Sequence, residues 1–200
     1  MLKIAITGGI AGGKTLASDT LISLGAHIID ADIIARKVLQ KGSIGAVKIK
    51  QHFGAEFFDQ NDELIRRKLS EYVFSCEDRV KLLNSITHPL IRKEIEKQIK
   101  ECQGCGAIFV IIPLLIESGM ADMFDRIWVI AADIDLRIKR MVRRDNISIE
   151  QAYNILSSQA SDQERLNIAD CVIYNNGSEQ EFVEQIKTEY RKLIHELSTV

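Results

Sequence analysis

The 200-residue sequence has no run approaching the roughly 20 apolar residues that a membrane helix requires. Glycines and Lys14 interrupt its N-terminal apolar run too early for a signal peptide, so a cytoplasmic protein with no membrane partner is expected. It also lacks a basic excess: 26 Lys and Arg face 28 Asp and Glu, for a net charge of -2. Such a balance exerts no global pull on a phosphate backbone or an anionic bilayer, which argues against nucleic acid as a partner. Cysteine is sparse, at positions 76, 102, 105 and 171. Cys102 and Cys105 have C-x-x-C spacing, but with no second pair and no nearby histidine pair they are expected to be reduced thiols flanking a turn at Gln103 and Gly104. No repeat or low-complexity segment occurs. What is present, 46% hydrophobic residues, is enough to bury a substantial core.

The apolar residues fall into short continuous runs at Leu2 to Thr7, Ala26 to Ile29, Ala107 to Ile112, Ile127 to Ala131 and Cys171 to Tyr174, with helix-like segments between them. Continuous apolar strands alternating with helices predict an α/β fold, a parallel sheet flanked by helices. Between about Ile33 and Cys102 the pattern is charged and helical, interrupted by the turn-prone Asp59-Gln60-Asn61-Asp62, and predicts an insertion. Phe182, Ile186, Leu193 and Leu197 share one face of a predicted C-terminal helix.

Gly8-Gly9-Ile10-Ala11-Gly12-Gly13-Lys14-Thr15 fits G-x-x-x-x-G-K-[ST] at every fixed position and lies between a predicted strand and helix. Glycines let successive N–H groups converge on phosphate oxygens, and the helix beginning near Lys14 adds its positive dipole end. The nucleotide contacts are therefore assigned to Gly8, Gly9, Ala11, Gly12, Gly13, Lys14, Thr15 and Leu16. Lys14 is expected at the β- and γ-phosphates and the Thr15 hydroxyl on Mg²⁺. A GTPase would show N/T-K-x-D, which is absent. A motor ATPase would carry an acid at a strand end, whereas Phe109 to Ile112 leads into Pro113.

A kinase needs an acceptor site. Asp30 and Asp32 follow the second run directly, at the strand end where open α/β sheets place ligands. Asp32 could take an alcohol's proton, with Arg36 one turn on to hold an anionic acceptor, or it could cap a helix starting at Ile33 and pair with Arg36. Arg137, Arg140 and Arg144, at i, i+3 and i+7, would share a helix face, either as a solvated basic stripe or as phosphate ligands. Asp133 or Asp135 is expected to cap that helix. Asn175 either contacts adenine or belongs to an Asn175-Asn176-Gly177 turn without ligand.

The phosphate loop followed by Asp30-Ala31-Asp32-Ile33-Ile34-Ala35-Arg36 resembles the opening of dephospho-coenzyme A kinases. The likeness continues through Arg66 with Leu69, His88-Pro89-Leu90-Ile91, Pro113 to Glu117, Arg140 with Arg143-Arg144-Asp145, Gln159, Arg165 with Ala169-Asp170, and Asn175-Asn176-Gly177. Asp-Ala-Asp with Ala-Arg, and His-Pro-Leu-Ile, are the more specific pieces. The resemblance implies a P-loop kinase domain spanning 1–200, with a core at about 1–34 and 105–200, a helical acceptor-binding insertion at about 35–104 and a mobile lid over ATP at about 136–160. It also implies ATP-dependent phosphorylation of the ribose 3′-hydroxyl of dephospho-coenzyme A, with Mg²⁺, by a monomer or weak homo-oligomer. By the same carry-over Asp32 is the general base, Arg36, Arg66 and His88 hold the acceptor, Glu117 helps to position the acceptor or the Mg²⁺ shell, Arg140 offsets transition-state charge, and Arg144 supports it. A nucleoside monophosphate kinase and a nucleotide-gated regulatory module are the rival readings. The family loop tends to carry Gly-Ser-Gly-Lys where Ala11-Gly12-Gly13-Lys14 stands. That is tolerable if Ala11 keeps a backbone conformation open to a residue with a Cβ.

Overall fold

Ile4, Ala5 and Ile6 are fully buried, as a strand covered on both faces requires, and they lie in β1 (Leu2–Thr7). In the computed structural model, which describes residues 1–102, 104 and 106–199, β1 is the middle strand of a parallel sheet. Among the described residues five strands pair in the order β2-β3-β1-β4-β5, with β2 at His27–Asp30, β3 at Ala107–Ile111, β4 at Arg126–Ala131 and β5 at Cys171–Tyr174. The chain leaves β1 toward one edge and β3 toward the other. This opens a crevice at the carboxyl ends of the two strands, the ligand position of doubly wound sheets. β2 lies one residue later than the apolar run: the Ala26 N–H closes a turn onto the Leu21 carbonyl, and Asp30 pairs with Ile111 inside the sheet.

The chain forms two compact units, Met1–Asp30 with Cys102–Val200, and Ala31–Glu101. In the first, α1 (Lys14–Ser23) and α9 (Glu179–Ser198) pack together on the sheet. Ala17, Leu21, Phe182, Ile186 and Leu193 meet Phe109 and Trp128, whose rings stand edge-on with centroids 5.2 Å apart. The predicted face of the C-terminal helix is thus the buried one, with Leu197 at its margin. Between β4 and β5 run α6 (Ile134–Asp145), α7 (Ile149–Ser157) and α8 (Asp162–Asn167). Asn146 ends α6 in the left-handed conformation at φ 52°. Capping boxes then start three helices in succession: Ser148 with Gln151, Ser161 with Glu164 and Ser178 with Glu181.

The second unit contains α2 (Ala31–Lys37), α3 (Ile44–Phe53), α4 (Arg66–Val73) and α5 (Glu77–Glu101), arranged along the 25-residue α5. Ile49, Phe53, Phe57, Leu69, Val73 and Ile86 form its core. Asp59 Oδ1 accepts the Asn61 and Glu63 amides, each at 2.9 Å, and Phe58 and Leu64 close that turn as an antiparallel bridge. Pro89 lies inside α5, where it removes the ladder bond to the Ser85 carbonyl.

Cys102 is disulfide-bonded, which corrects its reading as a reduced thiol, while Cys105 lies outside the described residues. Cys76 and Cys171 are free thiols. Burial first, then nearby Glu189, pushes the Cys171 thiol up to about 11. Among the described residues no helix is long and apolar enough to cross a membrane.

Phe182 is 1% exposed, and its ring edge also lies under Gly13. Phe182→Ala is expected to lower unfolding stability by about 3–5 kcal/mol, which urea denaturation followed on the Trp128 emission would measure.

Candidate active site

A loop that presents N–H groups to an anion must turn its carbonyls away, and those carbonyls need donors of their own. The segment between β1 and α1 meets both demands. Lys14 Nζ donates to the Gly8 and Gly9 carbonyls at 2.8 and 3.0 Å. Arg140 Nη1 donates to the Ala11 carbonyl at 3.2 Å, and Asn175 Nδ2 to the Gly12 carbonyl at 2.8 Å. The one backbone bond within the turn runs from Gly12 N–H to Gly9 C=O, at 3.1 Å. Arg140 is itself placed by Asn175, donating to its carbonyl at 2.9 Å and its Oδ1 at 3.2 Å. Asn175 is 7% exposed, and its own N–H prolongs the sheet onto Ala131.

Glycine is required by contact at three loop positions, one of them Gly9, where a Cβ would stand 1.9 Å from Nη1 of the buried Arg137. A Cβ on Gly8 would stand 2.2 Å from the Ile130 carbonyl oxygen, and one on Gly13, where φ is 109°, 2.2 Å from Asn175 Nδ2. Ala11 adopts the left-handed conformation, φ 58°, at the position where the family pattern has glycine. Its methyl group and the Ile10 side chain pack against the apolar cluster of Ile138, Met141 and Ala152.

The arginines of α6 separate by burial instead of sharing one exposed face. Arg137 is 3% exposed and forms an ion pair with Asp162. Burial pulls its pKa down while Asp162 opposes the shift, and its Nε has no hydrogen-bond partner. Arg140 turns to the loop. Arg144 is exposed and holds Asp145 through two bonds of 2.8 and 2.7 Å, which keep that carboxyl below its usual range. Asp133 occupies the cap position of α6 without capping it: its Oδ1 accepts from Asn176 Nδ2 at 2.7 Å, and its N–H donates to Asn176 Oδ1 at 2.8 Å. A cleft of about 380 Å³ opens beside Gly9, lined by Ile130, Ile134, Arg137, Asp162 and Arg165 among others.

Glu117 lies in the turn after β3. Its Oε1 accepts the Ala160 N–H at 2.8 Å and stands 3.7 Å from Arg165 Nη2. Arg165, 3% exposed, also donates to Asp162 at 3.3 Å and reaches Gln159 Oε1 at 3.5 Å. Gln159 Oε1 in turn accepts the Ile10 N–H at 3.2 Å. Gln159, Asp162 and Arg165 received no site role from sequence, and Arg137, a candidate phosphate ligand by its spacing, is instead buried against Asp162. The Ser161-x-x-Glu164 box announces the helix start nearby, but nothing in the spacing announces buried arginines.

Thr15 is exposed in the first turn of α1, and the Leu16 side chain packs on the sheet core. Among the described residues no three His, Cys, Asp or Glu side chains gather as a metal cluster. A hydroxyl beside a phosphate cradle suits Mg²⁺, which takes most of its ligands from phosphates and water.

In the second unit Asp32 is exposed in the first turn of α2, which begins at Ala31, so it lies inside the helix and not at a cap before Ile33. Arg66 Nη2 donates to the Arg36 carbonyl at 2.7 Å. Burial, and then the adjacent Arg36 cation, lower the Arg66 pKa, so two guanidinium groups converge there. His88 is half-buried in α5 ahead of Pro89, and burial holds it below the imidazole's usual 6.5.

A family model described as dephospho-CoA kinase matches residues 2–181. The chain is similar to the dephospho-CoA kinase of Vibrio parahaemolyticus, at 39% identity over 194 residues, 96% of this chain and 95% of that protein. The solved dephospho-CoA kinase from Campylobacter jejuni aligns with a TM-score of 0.74 and 31% identity over 96% of each chain. A shikimate kinase from Acinetobacter baumannii, at TM-score 0.57 and 11% identity over 98% of this chain and 94% of that one, shares the fold.

Gly13→Ala is expected to abolish nucleotide binding measurable by calorimetry, because the new methyl displaces Asn175. Ala11→Gly should stay within about 1 kcal/mol of the parent in stability, since relief of left-handed strain offsets lost methyl packing and added chain entropy. A neutral His88 is favoured by folding, so its contribution is complete above pH 6.5 and is lost as pH falls through the lower folded value. His88→Gln should therefore flatten the decline of melting temperature below pH 6.5.

Proposed function

Because the chain belongs to the dephospho-CoA kinase family, we propose a division of labour among its residues for that reaction. The enzyme transfers the γ-phosphoryl group of ATP to the ribose 3′-hydroxyl of dephospho-CoA, giving CoA and ADP in the last step of CoA biosynthesis. The nucleotide half of the proposal is carried by the loop whose Gly8, Gly9, Ala11 and Gly12 carbonyls are all held by donors. With the Ile10 and Gly12 amides already bonded to Gln159 and to the Gly9 carbonyl, the remaining amides of the loop and of the first turn of α1 receive phosphate oxygens, and preorganised donors of this kind are the main source of transition-state stabilisation in such chemistry.

Lys14 exchanges the Gly8 and Gly9 carbonyls for the β- and γ-phosphates. Arg140, fixed by Asn175 at the back of the loop, contributes positive charge against the transferring group, with Arg144 as outer support. Asn175 acts on the nucleotide through Arg140 and Gly12. Thr15 would hold Mg²⁺, which neutralises phosphate charge when bound with ATP. The segment 136–160 serves as the lid that excludes water from the γ-phosphate.

For the acceptor, Asp32 takes the 3′-hydroxyl proton as the phosphoryl group moves, a role supported by its exposed carboxylate. Arg36 and Arg66 hold the anionic groups of dephospho-CoA, supported by their convergence on one surface. His88, kept neutral, offers a hydrogen bond without charge. Glu117 acts on the lid side, through Ala160 and Arg165, and supports the acceptor only indirectly. Both substrates are water-soluble, which suits an enzyme working in the cytoplasm.

ADP release with Mg-ATP should require dephospho-CoA and should not respond to AMP or dCMP. Asp32→Asn is expected to lower kcat by about 10²–10⁴-fold with ATP affinity retained. Turnover on a nucleoside monophosphate would replace the acceptor assignment, and undiminished transfer by the Asn variant would remove Asp32 from the chemistry.

A further inference from the structure

The phosphate loop is tied from outside by donors to its carbonyls, with one exception in sign. At Ile10 the loop gives an N–H and a protein side chain accepts it: Gln159 Oε1, at 3.2 Å. Gln159 lies between α7 and α8, 149 residues away in sequence, and received no role above. Its neighbour Ala160 is held through its own N–H by Glu117 Oε1 at 2.8 Å. Beneath both acceptors lies Arg165, 3% exposed, 3.5 Å from Gln159 Oε1 and 3.7 Å from Glu117 Oε1. Ile10 is engaged twice, because its side chain and that of Ala11 belong to the apolar cluster of Ile138, Met141 and Ala152 from α6 and α7.

The loop has one internal backbone bond, Gly12 to Gly9, and a left-handed Ala11 at its tip. A turn so thinly bonded holds its shape through its neighbours. We propose that Gln159 is a positioning residue for the nucleotide: its carboxamide oxygen fixes the Ile10 amide and so keeps the loop in its phosphate-accepting form, while Glu117 and Arg165 hold Gln159 in place. The anchor lies on the segment that joins α7 to α8, so the arm formed by these helices and the nucleotide loop are coupled at this residue. The inference rests on ATP occupying the loop, as in the preceding section, and assigns Gln159 no contact with either substrate.

Arg165 is a poor probe, because it is 3% exposed and its loss would leave Glu117 without its buried counter-charge, at a cost to the fold as well as to Gln159. Gln159→Met keeps length and bulk while removing the acceptor. Two measurements on the full chain are needed: peptide-level hydrogen exchange without nucleotide, and steady-state kinetics with both substrates varied. We expect exchange in residues 8–13 to accelerate while peptides from α9 are unchanged, and KM for ATP to rise roughly five- to tenfold, the worth of one hydrogen bond, with KM for dephospho-CoA within twofold. Unchanged exchange at the loop would overturn the anchor. Faster exchange with both KM values rising together, or with neither changing, would overturn the positioning role. If the parent enzyme shows no turnover on dephospho-CoA, the functional reading fails instead, and calorimetric ATP binding by parent and variant still decides the inference.

Discussion

Peptide groups carry a donor and an acceptor on opposite sides, so a cradle of N–H groups cannot be made without a matching row of carbonyls behind it. The side-chain donors around the phosphate loop answer to that row. Lys14, Arg140 and Asn175 come from the loop's own helix, from α6 and from the end of β5, yet each ends on a loop carbonyl. The place of β1 beside β4 serves the same need, because the chain running from β4 to β5 carries Arg140 and the end of β5 carries Asn175. Burial of Asn175 then acquires a physical meaning: its amide bridges an arginine and a glycine carbonyl, which water would do with less precision of placement.

Much of the fold could be read from sequence because its signals are local. Continuous apolar runs at Leu2–Thr7 and Cys171–Tyr174 became β1 and β5 with those same ends, and the periodic face of Phe182, Ile186 and Leu193 became the buried face of α9. The glycines of the loop could likewise be placed by motif and context. The shift of β2 by one residue had a cause that hydropathy does not see, a turn bond from Ala26 to Leu21. Asp30 thereby became part of the sheet.

Long-range partners were the illegible part. Spacing of three and four residues places Arg137, Arg140 and Arg144 on one helical stripe, but it cannot say that Asp162 lies above the first, the loop above the second and solvent above the third. Asp133 has the sequence credentials of a cap and spends its carboxylate on Asn176. Glu117 was visible as part of a family pattern, and its partners, Ala160 and Arg165, stand more than forty residues away. Ala11 illustrates a different limit: composition shows a methyl where glycine is usual, and only the fold shows that the methyl has apolar neighbours to compensate its left-handed backbone.

The serine boxes that open α7, α8 and α9 have a mechanical consequence. A helix whose first amides are satisfied by its own Ser and Glu or Gln side chains borrows nothing from the element before it. Such rods can pivot without unravelling, and the bending falls on the few residues between them. Between α7 and α8 those residues include Gln159 and Ala160, the two that are pinned to Ile10 and Glu117. The joint and the clasp are therefore the same piece of chain, so any bend there would have to break the hydrogen bonds of Gln159 and Ala160.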